Sequence, residues 1–268
     1  MNKAMIAIQF LKALAFVLVF LGIQSVVGGI GMIGCQLADH EQWVQNPYFS
    51  IVVALGSSLI AILVFILTKW TVPSADYLRT KPRTVIFWSS IAAMGAVIPS
   101  TALQELLPEL PNLVEQEMAE IMRTRGGFFV ICLLVPLVEE LVFRGAALRI
   151  LLQHQTNSWV AITLSALLFS AAHLNPAQMP HAFLMGLLLG WMYARTRSIV
   201  PCVVFHWTNN TIAYLTFMLY PSTDIGLVDI FGSTQHVLYA VLFSLLILLP
   251  ALYQLHLGMR IPPKSEEK

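Results

Sequence analysis

The stretch Val-Pro-Leu-Val-Glu-Glu-Leu-Val-Phe-Arg-Gly, residues 135–145, decides how this chain is read. It sets Glu139, Glu140 and Arg144 inside an apolar run, where ionised groups are costly unless they are paired. Glu140 and Arg144 are four residues apart, so a helix places them on one face within reach of each other. An ionisable residue at membrane depth marks a functional site by default. The run therefore reads as a buried helix that carries a polar site.

The rest of the chain supports a membrane setting. Of its 268 residues 57% are hydrophobic and 11% charged, where a soluble domain carries about 25% charged residues. Mean hydropathy is +0.76. The expected fold is all-α: a polytopic membrane protein with about eight transmembrane helices around a water-accessible cavity. The candidate spans, each needing roughly 20 apolar residues, are 5–33, 50–70, 84–106, 126–153, 158–175, 180–197, 199–219 and 234–257. The first is read as an uncleaved span, because it is too long for a signal peptide's apolar region. The polar stretch 107–125 is read as a solvated connector, with a short surface helix as the alternative. Net charge is +1, so no basic field invites a nucleic acid. Cys35, Cys132 and Cys202 lack zinc spacing and read as small packing residues.

Lysine and arginine placement orients the chain, since cytoplasmic loops are enriched in both. Lys69, Arg79, Lys81, Arg83, Arg149, Arg195, Arg197, Arg260, Lys264 and Lys268 fall at one end of the expected bundle. The connectors 34–49 and 220–233 hold Asp39, Glu41, Asp224 and Asp229 but no Lys or Arg. Arg123 and Arg125 alone break the pattern. Both termini are thus expected in the cytoplasm, in an integral, multi-pass protein of the plasma or inner membrane if the cell is prokaryotic.

Two further polar clusters interrupt the spans. Phe169 precedes His173 by one helical turn and can wall it on one side. His206 and Asn210 are four apart and can point into one cavity, while Asn209 is assigned to a different face. Counting the ~1.5 Å helical rise brings Glu139 and His206 to a similar depth in the cytoplasmic third of the membrane, and His173 joins them only if the fourth and fifth helices project ~10 Å into the cytosol before turning back. A carboxylate, two imidazoles and a carboxamide suit hydrolysis: a glutamate base, a histidine that holds water or ligates a metal, and donors for an oxyanion. There is no His-Glu-x-x-His zinc helix and no Gly-x-Ser-Gly element. Ser170 reads as a packing residue, and His181, beside Pro180, as a solvated loop histidine.

Glu-Glu-x-x-x-Arg at 139–144, Phe-x-x-x-His at 169–173 and His-x-x-x-Asn at 206–210 follow in order on successive helices. Together they resemble the CAAX protease and bacteriocin-processing (CPBP) family of intramembrane proteases, also described as the type II CAAX prenyl endopeptidase or Abi family. The resemblance implies an intramembrane endopeptidase with a site open toward the cytoplasmic face. By it Glu139 activates water and His173 helps to hold that water. Glu140 supports them, Arg144 anchors the carboxylates, and His206 and Asn210 stabilise the oxyanion. Members are commonly called metalloproteases, so zinc on Glu139, His173 and His206 stands beside a metal-free glutamate-activated water. The implied partners are the lipid bilayer and a peptide or protein substrate, prenylated or bacteriocin-like. The resemblance divides one membrane domain into N-terminal helices and connectors (1–125), a catalytic core (126–219) and a last helix with a cytoplasmic tail (220–268). A proton-coupled transporter or a bacteriocin-immunity factor on the same scaffold is the alternative.

Overall fold

The computed structural model describes residues 3–74, 76–153, 157–221 and 225–259. Part of the polar turn at 153–158, Asp224, and the basic residues Arg260, Lys264 and Lys268 lie outside the described residues. The described chain is helical throughout. In order come α1 (Lys3–Leu37), a 3-10 turn (Glu41–Gln45), α2 (Pro47–Leu67), α3 (Asp76–Arg79), α4 (Arg83–Glu105) and α5 (Glu115–Arg123). A helical run follows, made of a π segment (Phe129–Leu134), α6 (Val135–Val142), a second π segment (Phe143–Leu148) and α7 (Arg149–Leu151). The remainder is α8 (Ser158–Ala172), α9 (Met179–Thr196), α10 (Val200–Leu219), α11 (Leu227–Phe231) and α12 (Thr234–Gly258).

Local chemistry sets several of these boundaries. Asn46 accepts from the Tyr48 N–H ahead of Pro47, and α2 starts there. Asn157 caps α8 through the Trp159 N–H, and Ser233 caps α12 through His236. Arg149 donates to the carbonyls of Lys69 and Trp70, just past the end of α2, and Arg195 to those of His256 and Met259 at the end of α12. These two arginines, taken from sequence as orientation markers, also satisfy carbonyls that a helix C-terminus leaves open.

Four described helices are long and apolar enough to cross a membrane: Met5–Leu37, Pro47–Leu67, Arg83–Glu105 and Thr234–Gly258. Helical runs do stand at the other four expected positions, but length and composition do not mark them as spans. α8 is apolar but has only 15 residues. The Phe129–Leu151 run, α9 and α10 carry the polar residues that lower their hydropathy. These inner helices pack on protein, and backbone polar groups at membrane depth are tolerated in that setting.

The core joins α4, α12, the 129–151 run, α8, α9 and α10, with Leu148, Leu151, Ile162, Leu189, Phe205 and Leu255 fully or almost fully buried. At Gly95 a Cβ would fall 2.7 Å from the Leu248 backbone N, so only glycine lets α4 and α12 approach this closely. Tyr77, in the connector that holds α3, tucks its phenol against this core, and burial pushes its pKa up to about 12.

The 107–125 connector corrects its sequence reading. It forms the nine-residue helix α5, with Ala119 buried and the methionines Met118 and Met122 turned toward an internal cavity. Its charged residues alternate with apolar ones at helical spacing, so one face docks while the other stays polar. Ser50 donates to Glu117 at 2.8 Å, and Arg123 reaches the Pro221 carbonyl and lies over the Phe217 ring.

Candidate functional site

The π segments on either side of α6 determine how the Glu139–Glu140 turn is held. A π turn widens the helix and leaves carbonyls without their usual partners, and such turns recur at functional sites. Here side chains from neighbouring elements fill those positions. Asn210 donates to Ile131 O at 3.1 Å, and the Trp207 indole to Leu133 O at 2.7 Å. Thr71 donates to Leu141 O at 2.7 Å, and Ser165 to Phe143 O at 3.3 Å. A Cβ at Gly145 would lie 2.5 Å from Thr71 Cγ2, so the widened turn seats Thr71 where glycine leaves room.

Within that frame the carboxylates separate. Glu140 and Arg144 are fully buried and paired, with Arg144 Nη1 2.9 Å from Glu140 Oε1. Phe169 lies flat beneath the guanidinium, 4.3 Å from Arg144 Cζ to the ring centroid. The same Oε1 accepts from His206 Nδ1 at 2.9 Å. His206 therefore turns Nε2 toward Glu139, whose Oε2 is 3.7 Å away. That gap is too long for a direct hydrogen bond and suits an intervening water or substrate oxygen. Glu140 Oε2 and Arg144 Nε and Nη2 have no hydrogen-bond partner among the described residues.

His173 closes α8. Its Nδ1 sits 2.9 Å from the Phe169 carbonyl, which can only accept, so Nδ1 carries the hydrogen and Nε2 is left with its lone pair. The Phe169 ring meets both imidazoles edge-on, 4.9 Å from His173 and 5.8 Å from His206 between centroids. It is the expected wall, and it serves both histidines. Past His173 the chain bends with Leu174 at φ 51°, and Asn175 is fully buried. Asn175 accepts from the Leu113 N–H and donates to Asn112, tying the bend to the 107–125 segment. Ser170 donates to Met179 O at 2.7 Å, so its hydroxyl staples the α8–α9 turn and is not merely small.

Glu139, His173, His206 and Asn210 all line one cavity of about 640 Å³, with Glu140 and Arg144 packed behind it. The three motifs thus converge on one place. Two residues were misjudged from sequence. His181 lies in the first turn of α9 and lines the cavity, with Nδ1 3.1 Å from Ser100 Oγ. Pro180 at the start of a helix, rather than a loop, is the signal that could have placed it. Asn209 is buried, also lines the cavity, and donates to Asn210 Oδ1 at 3.2 Å. It is three residues from His206, a spacing that also shares a helix face.

The cavity runs from Glu139 toward Ser50, Gln104, Met118 and Tyr220, where α2 begins, α4 and α10 end and α5 lies. Of those connectors, 34–49 and 220–233 lack Lys and Arg, while 107–125 carries Arg123 and Arg125. The expected opening was toward the basic, cytoplasmic end. That end is filled by Leu148, Leu151 and Leu152 and by the arginines that hold helix ends. A cytoplasmic basic end and a cytoplasmic opening therefore do not hold together.

The zinc reading does not fit this geometry. Among the described residues no three His, Cys, Asp or Glu side chains are gathered closely enough to hold one ion. Glu139, His173 and His206 face one cavity without forming a ligand set.

Residues 123–212, a segment that includes all three motifs, match the family model described as type II CAAX prenyl endopeptidase Rce1-like. No curated protein and no solved structure matches the chain. Through residues 123–212, then, the chain is similar to the Rce1-like type II CAAX prenyl endopeptidases, as a member of the CAAX protease family would be.

Proposed function

We propose that the protein is an intramembrane endopeptidase in which Glu139 activates a water for direct attack on a peptide bond. The observation that carries this reading is the division of labour between adjacent carboxylates. Glu140 is consumed by Arg144 and His206, whereas Glu139 faces the cavity with His206 Nε2 3.7 Å away. A base must be free to take a proton, and Glu139 is the carboxylate that meets this condition.

The chemistry follows from the hydrogens. A water between Glu139 and His173 gives one hydrogen to the carboxylate and the other to His173 Nε2, which leaves an oxygen lone pair for the substrate carbonyl. As the C–O bond forms, Glu139 takes the first proton and the carbonyl oxygen becomes an oxyanion. Asn210 Nδ2 has one hydrogen on Ile131 O and a second to offer that oxyanion. His206, held through Nδ1 on Glu140 Oε1, keeps its ring edge turned toward Glu139 beside this oxyanion. The tetrahedral adduct then breaks its C–N bond, and Glu139 returns the proton to the leaving amine. One peptide and one water give one carboxylic acid and one amine.

The substrate is a membrane-presented peptide that enters from the α5 end of the cavity. If charge bias places both termini in the cytoplasm, this entrance faces the opposite side of the membrane. The test is cleavage by the purified protein in liposomes, with prenylated and unmodified peptides followed by mass spectrometry. New termini in either set support the reading. Intact peptides throughout, from protein that retains its helical circular dichroism, would leave only a non-proteolytic role for the scaffold.

A further inference from the structure

His181 and Asn209 are polar, line the cavity and have no role in the reaction just described. Asn209 is bonded to Asn210, and His181 stands beside it, bonded to Ser100. Ser100, buried on α4, meets His181 Nδ1 at 3.1 Å and shares its hydroxyl with Val97 O at 2.9 Å. The His181 ring also faces the Asn209 side chain. Asn209 Oδ1 has no hydrogen-bond partner by distance among the described residues, so this contact is longer than a full hydrogen bond. Asn209 Nδ2 donates to Asn210 Oδ1 at 3.2 Å, and Asn210 Nδ2 donates to Ile131 O at 3.1 Å.

The direction of each link follows from what each atom can do. A backbone carbonyl only accepts, so Ile131 O requires Nδ2 on its side of the Asn210 carboxamide. Asn209 then holds Oδ1 on the other side, and the second Nδ2 hydrogen is left for the cavity. Turned over, Asn210 would present a carbonyl oxygen to the developing oxyanion and repel it. Asn209 faces the same choice of orientation. Its orientation follows from Asn210 Oδ1, which only accepts and so requires Asn209 Nδ2 on that side.

Resting on the proposed endopeptidase reading, we infer that Asn209 is a positioning residue that locks the Asn210 carboxamide with its N–H toward the oxyanion. It touches no substrate and acts through Asn210. Asn209→Ala therefore lowers kcat about tenfold, the rate equivalent of one neutral hydrogen bond. KM stays within about twofold, because the contact matters only once the oxyanion develops.

The deciding experiment is a double-mutant cycle. In an Asn210→Ala background, Asn209→Ala changes kcat by less than about twofold, since its target is gone. An equal loss from Asn209→Ala with and without Asn210, or a loss confined to KM, overturns the inference.

A second readout does not depend on activity. In detergent-solubilised protein with ¹⁵N-labelled asparagine, the Asn210 side-chain amide is assigned by its disappearance in Asn210→Ala. Its hydrogen exchange quickens about fivefold in Asn209→Ala as the lock loosens. Unchanged exchange overturns the inference even if no peptide is cleaved, whereas absence of cleavage with quickened exchange counts against the endopeptidase reading alone.

Discussion

Glu139→Gln abolishes peptide cleavage while the protein still inserts and folds. The amide is nearly isosteric but cannot accept the proton of an attacking water. General-base catalysis is worth about 10²–10⁴ in rate, and the loss of kcat should reach the upper part of that range. Stability should change little, because among the described residues Glu139 makes no hydrogen bond, only a 3.7 Å approach to His206, and one side of it faces the cavity. The measurement is kcat in liposomes beside the thermal unfolding midpoint of the same preparation. Cleavage at the wild-type rate would remove Glu139 from the reaction. Parallel loss of folding would make it a structural residue.

Arg144→Met has the largest expected effect on stability. The guanidinium is fully buried, bonded to Glu140 and stacked on Phe169. Removing it leaves the Glu140 carboxylate buried with His206 as its remaining partner. Breaking one side of a buried ion pair typically costs about 3–5 kcal/mol, because the orphaned charge has lost its compensation. Glu140→Gln added to Arg144→Met removes the orphan, and the double variant should recover most of the lost thermal stability. It should not recover activity, since His206 Nδ1 then faces a carboxamide and its ring is no longer held by a charged partner. A double variant as unstable as Arg144→Met alone would mean that the arginine matters through packing on Phe169. Full activity in the double variant would mean that Glu140 has no part in orienting His206.

Contacts close along the chain were legible in the sequence, and contacts between distant segments were not. The Glu140–Arg144 pair, the Phe169 wall against His173 and the shared face of His206 and Asn210 are all spacings of four on a helix. The bond from His206 to Glu140 spans 66 residues, and no local pattern announces it. The π segments also escaped notice, because an apolar run such as Phe129–Leu134 looks the same whether its turns are α or π. Their traces lie elsewhere, in the donors Thr71, Ser165 and Trp207 that meet the carbonyls of this run. His181 was hidden by Pro180, which starts a helix as readily as it ends one. The end at which the cavity opens was not legible, because lysines and arginines report on the membrane face, not on where helices part.

The central claim, direct attack by a Glu139-activated water, is tested most directly by cleavage in H₂¹⁸O with hydroxylamine present. The account predicts new C-termini carrying a single ¹⁸O from the first turnover, no hydroxamate, and no product of either kind from Glu139→Gln. Hydroxamate at the cleaved bond, or ¹⁸O-labelled termini formed equally fast by the Glu139→Gln protein, would contradict it.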